Sequence, residues 1–177
     1  DWALHLARAP GRQLELAEHA RDNALKLMDF AAKSASGTAQ SPPFAPKVYD
    51  HRFADPNWQS PPFSLWQQGF LATQDWWDHA TENMRGLRKQ DSDRTRFLVR
   101  QMLDTVSPSN FPWLNPEILA ETARTGGRNL AEGAVHATDD WLHTLSQAHT
   151  PPPEGYRLGE DLACTPGEVV YRNDIFE

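Results

Sequence analysis

A single cysteine, Cys164, stands among 177 residues, so the chain cannot close a disulfide of its own, and a reducing compartment suits it. Positive charge is also scarce: 17 Lys and Arg face 24 Asp and Glu, a formal charge of -7. That balance disfavours a nucleic-acid backbone or an anionic membrane as the general partner. No apolar run approaches bilayer-spanning length, and no signal peptide is visible. There is no glycine-rich phosphate loop and no zinc-ligand spacing, so neither a cofactor nor a metal is implied. Asp50, His51 and Asp55 lie in an irregular segment that fixes no converging geometry. Asp139 and Asp140 are neighbours on a helix and do not share a face. His136 and His143 read as helix-surface side chains. Cys164 sits in Asp-Leu-Ala-Cys-Thr-Pro-Gly rather than a Gly-x-Cys-x-Gly elbow, which leaves it without a nucleophile's setting.

What the chain does have is sharp punctuation around Ser107 to Leu130. Asn115 has the side chain of a helix N-cap, Pro116 suits the first helical position, and Glu117 complements the helix dipole. Gly126 and Gly127 permit the left-handed turn that ends this short helix. Upstream, Pro108 and Pro112 keep the chain extended, with Phe111, Trp113 and Leu114 as anchors and Asn110 as the polar residue of the loop. A packed helix–loop–helix corner is the simplest physical role.

Around that corner the pattern is mostly helical. Arg12 to Lys33 carries a shallow, alanine-rich face, and reads as an N-terminal arm seeking a partner. Ser34 to Lys47 is a Pro- and Ser-rich linker. Phe63 to Asn83 forms a helix with Trp66, Phe70 and Trp77 near one face and Trp76 off it. Ser92 is placed to cap a helix running to Val106, striped by Leu98, Met102 and Val106. Asn129 to Ala148 is a further amphipathic helix, with Leu130, Ala134, Ala137, Trp141 and Leu145 on one side. After three prolines, Val169 to Tyr171 and Ile175 onward read as strands that need a sheet from elsewhere. The expected fold is therefore mainly α: a small helical bundle with an N-terminal helical arm and a C-terminal β segment. The expected domains are an arm and linker over residues 1–49, a helical domain over 50–150, and a connecting and β segment over 151–177.

Three stretches carry a family resemblance. Asp50 to Phe63 (DHRFADPNWQSPPF), Arg96 to Gly133, and Tyr156 to Glu177 resemble, in order and spacing, the amino-terminal region of polyhydroxyalkanoate synthases. Ser-Pro-Ser-Asn-Phe at 107–111, Asn-Pro-Glu at 115–117, Thr-Gly-Gly at 125–127 and Thr-Pro-Gly at 165–167 are the most specific matches.

The resemblance implies a parent acyltransferase that polymerises (R)-3-hydroxyacyl-CoA with a cysteine, a histidine and an aspartate in a carboxyl-terminal α/β-hydrolase domain. None of those positions maps onto this sequence, and the β segment would begin that domain. The chain alone is then expected to be non-catalytic. It would support dimerisation, granule association and positioning of the catalytic domain, in a cytoplasmic, granule-associated enzyme. The implied partners are that catalytic domain, a second copy, and a polyester granule or granule-bound protein. Hydroxyacyl-CoA would be met only through the parent enzyme. The alternative is a free-standing granule-binding or scaffold protein. The structural or interface candidates are Trp66, Phe70, Trp77, Asn110, Phe111, Trp113, Asn115, Gly126, Gly127 and Trp141.

Overall fold

The computed structural model describes residues 6–7, 9–38, 41–82, 88–146, 155–157, 160–161 and 164–167. Five α-helices occur among them: α1 (Pro10–Ala35), α2 (Phe63–Thr81), α3 (Lys89–Thr105), α4 (Pro116–Thr125) and α5 (Arg128–Ser146). Two short 3-10 turns, Pro56–Gln59 and Pro108–Asn110, complete the regular structure. The chain divides into two compact units, residues 1–129 and 130–177.

The first unit is built around α2. Its neighbours are α1, α3 and both 3-10 turns. Leu16, Asn23 and Phe30 are the buried residues of α1, and their seven-residue spacing makes one stripe along the helix. Its partner lies within the chain, because α1 packs on α2. Burying Leu16 and Phe30 contributes about 1.5–3 kcal/mol each, which compensates for the small alanines between them.

Aromatic residues from an irregular segment complete the core. Phe44, Phe53 and Trp58 are buried with Phe70, Leu71 and Ala72 of α2, while Leu27, Phe63 and Leu103 pack around them. Phe53 meets Trp58 edge-on at 4.9 Å between ring centroids, a favoured aromatic geometry. Gln68 lies inside this cluster and is satisfied twice: its Nε2 donates to the Phe44 carbonyl and its Oε1 accepts from the Phe44 amide, both at 2.9 Å. That pair replaces the ladder bonds an extended segment would otherwise lack.

Two expectations need correction. The described residues form helices and no strand, so the fold is all-α and the C-terminal β segment is not part of it. A strand needs neighbours to pair its backbone, and the described elements offer none. Residues 168–177, where the strands were expected, lie outside the described residues. The other correction concerns α3, which begins at Lys89 rather than after Ser92 and has no side-chain cap. Ser92 instead directs its hydroxyl at the Thr81 carbonyl at the end of α2, 3.5 Å away.

Candidate functional site

The corner at 107–129 folds as its residues dictate. Asn115 Oδ1 accepts from the Glu117 amide at 2.9 Å, which caps α4, and Asn115 Nδ2 donates to the Ser109 carbonyl at the same distance. One buried side chain thus joins the helix start to the loop before it. Asn110, although exposed, donates through Nδ2 to the carbonyls of Asp104 and Thr105 at 2.7 and 3.2 Å. It closes the C-terminal end of α3, a structural task rather than a chemical one. Gly126 takes a left-handed conformation at φ 62, and Gly127 follows at φ 89 with its amide on the Thr122 carbonyl. A side chain would be strained at both positions. Asn129 then ties the turn together through Thr122 and Thr125, each 3.0 Å away.

The other candidates separate. Phe70 is in the core. Trp66 is 37% exposed and meets Phe63 edge-on at 5.5 Å, where the core reaches the surface. Trp77 is half-buried against Trp76 and lines a groove between α2 and α3. Phe111 is half-buried and its ring lies 5.5 Å from that of Trp113, which is 65% exposed. Trp141, expected on a packed face, is 62% exposed on α5. The candidates do not converge on one pocket.

Three polar arrangements had no clear signal in the sequence. Arg52 pairs with Asp50 at 2.7 Å and with Asp104 at 2.9 Å, and its guanidinium lies 5.3 Å from the Phe70 ring centroid. Hydrogen bonding from Arg52 holds the Asp50 carboxyl below the usual carboxylate range, against the opposing effect of burial. The same bond raises Arg52. This is a clamp that ties the aromatic segment to α3 over the core.

The second arrangement joins α1 to α2. His19 and His79 stack at 4.4 Å, with His19 Nε2 2.8 Å from Asp75 and His79 Nε2 3.1 Å from Glu15. Asn23 Nδ2 donates to Asp75 and to the Ala72 carbonyl, and the Trp76 indole donates to the Leu16 carbonyl at 3.0 Å. The third is the α2–α3 groove itself, lined by Gln74, Asp78, Arg96 and Arg100 among others. Lys47 and Arg96 both pair with Asp78 across its mouth. Such pairs connect positions on different elements, far beyond one helical turn apart in sequence, and no local spacing announces them.

The arrangement holds elements together and assembles no reacting group. Among the described residues no three His, Cys, Asp or Glu side chains gather as metal ligands, and Cys164 is exposed. No described helix is long and apolar enough to cross a membrane.

Comparison with known proteins bears out the family resemblance. Residues 49–177 match the family model described as "Poly-beta-hydroxybutyrate polymerase (PhaC) N-terminus". The poly(3-hydroxyalkanoate) polymerase of Methylorubrum extorquens is 34% identical over 84% of this chain and 26% of its own length. The poly(3-hydroxyalkanoate) polymerase subunit of Rhizobium meliloti is 30% identical over 94% of this chain and 28% of its own. Polymerase 1 of Ectopseudomonas oleovorans is 28% identical over 97% of this chain and 29% of its own. The chain therefore spans little more than a quarter of the length of these curated relatives. No solved structure matches it.

Proposed function

The chain belongs to the poly-beta-hydroxybutyrate polymerase N-terminus family, and from that premise we propose that it is the non-catalytic helical part of a polyester polymerase. It supports an acyltransferase domain that joins (R)-3-hydroxyacyl units from CoA thioesters, and it contributes to dimerisation and to contact with the polyester granule. The single observation that carries this reading is the family match across residues 49–177. The relatives' greater length favours a supporting part over a free-standing scaffold.

The polar groups support the same division of labour. Asn115, Asn110, Arg52 and Gln68 each fasten one element to another. An acyl-transfer nucleophile needs a base beside it and donors for the developing oxyanion. Cys164 comes from a stretch with neither signature in its sequence.

The test is thioester turnover by the purified 177-residue chain, followed as CoA release from (R)-3-hydroxybutyryl-CoA. No release above the uncatalysed rate is expected. Turnover that Cys164→Ser abolishes would show an acyl-transfer enzyme and defeat the accessory reading. Co-sedimentation with polyester granules checks the contact role, and a chain left wholly in the supernatant would remove that part.

A further inference from the structure

The α2–α3 groove gathers cations in a chain where they are scarce. Arg96 and Arg100 line it, Lys47 reaches its mouth, and Asp78 is the one carboxylate of its described lining. The two arginines stand one turn apart on α3, on the side that also carries Val99 and Leu103. Like charges at that spacing repel, so the helix gains nothing from the pair by itself.

Nearby carboxylates are already spent. Asp78 is shared between Lys47 and Arg96, and Arg96 is 3.8 Å away, beyond hydrogen-bond reach. Asp104, one turn after Arg100, is taken by Arg52, as is Asp50. Arg100 instead lies over the Tyr49 ring, 5.3 Å from its centroid. That contact is with the ring face and consumes no N–H donor.

A separate observation comes from the opposite wall. Gln74 lines the groove from α2, and its Nε2 is enclosed with no hydrogen-bond partner among the described residues. Leaving a buried donor unmade is costly. The acceptor that would meet it is an oxyanion drawn in by the two arginines. Trp77, Val99 and Leu103 supply apolar wall beside these donors. The groove holds about 230 Å³ with its mouth included, below the roughly 300–1,000 Å³ of drug-sized sites. Its ligand is therefore a few heavy atoms.

We propose that this groove is a binding site for a short-chain carboxylate. The carboxylate lies between Arg96, Arg100 and Gln74 Nε2, and its alkyl stem rests on Trp77, Val99 and Leu103. A planar carboxylate matches the fork of an arginine, and the apolar wall suits a stem better than it suits a hydrated phosphate. Once bound, the ligand fastens α3 to α2. All of these residues lie within the first compact unit, and the site stands independently of the accessory reading.

NMR titration of the nitrogen-labelled 177-residue chain with sodium butyrate, against sodium chloride at matched ionic strength, tests the site. Saturable shifts are expected at the Gln74 side-chain amide, the Trp77 indole and the backbone amides of residues 96–103. Acetate, which lacks the stem, and inorganic phosphate should bind more weakly. Arg100→Gln should weaken butyrate binding about tenfold or more, the loss of a charged hydrogen-bond donor. Gln74→Met keeps the stem, removes the amide, and should also weaken binding. Circular dichroism checks that both variants retain their helicity.

Shifts that chloride reproduces, or shifts that never saturate, would overturn the proposal. So would acetate or phosphate binding as tightly as butyrate, or butyrate binding indifferent to both variants. None of these outcomes bears on thioester turnover, so failure here is distinguishable from failure of the accessory reading.

Discussion

Asn115 shows how much a single polar side chain can hold. Its amide accepts at the start of α4 and donates to the preceding loop, within 2.9 Å in both directions. Asn115→Ala should lower stability by about 1 kcal/mol from the cap alone, and more where the Ser109 carbonyl is left unpaired. Chemical denaturation would measure it, and an unchanged midpoint would remove the capping account. Trp141 provides the contrast, because Trp141→Ala should change monomer stability by no more than about 0.5 kcal/mol for an exposed site. A cost of several kcal/mol would show that the side chain is buried after all. Asp50 adds a pH signature. Its folded carboxyl lies below the ordinary value through Arg52, so the stability it contributes is present above the unfolded pKa of about 3.9 and fades as pH falls through the folded value. Asp50→Asn should therefore be destabilised at neutral pH, with the gap to the parent closing in acid. Thermal melts at pH 7 and on the acid side of the transition would show it, and a constant gap would contradict the ion-pair origin.

At the scale of elements, the ends were more legible than the faces. Asn115-Pro116 and Gly126-Gly127 announced α4 because caps are local chemistry. Phe63 announced the start of α2 for a related reason, since the prolines before it stop any earlier helix. Burial depends instead on partners far along the chain. On α3 the apolar residues run around much of the helix, and the stripe of Leu98, Met102 and Val106 is exposed while Val99 and Leu103 line the side towards α2. Periodicity alone could not choose between those two sides. The alanine-rich arm was equally ambiguous. Its anchors to α2, Asn23 on Asp75 and Trp76 on the Leu16 carbonyl, join residues 52 and 60 positions apart. The buried Gln68 was illegible because glutamine in a helix normally points to water. If α1 is part of this unit, its central amides should exchange as slowly as those of α2 in a dilute, monomeric sample. Rapid exchange in α1 alone would mean that it is docked only weakly.

For the whole molecule, the contrast is between an acidic helical chain fastened by polar clamps and relatives more than three times as long. The corner motifs identified the family because they are specific sequences. The helical class followed from caps and periodicity, whereas the β segment was inferred from a short apolar run and was not upheld. The central claim is that these residues support a catalytic domain without taking part in its chemistry. Polymer formation by a chimera tests it most directly, with this chain replacing the matching quarter of the Methylorubrum extorquens polymerase. Its controls are the unaltered polymerase and a version lacking that quarter. The account predicts that the chimera, with or without Cys164→Ser, polymerises (R)-3-hydroxybutyryl-CoA substantially faster than the truncated version. A chimera no better than the truncated version, or one silenced by Cys164→Ser, would contradict it.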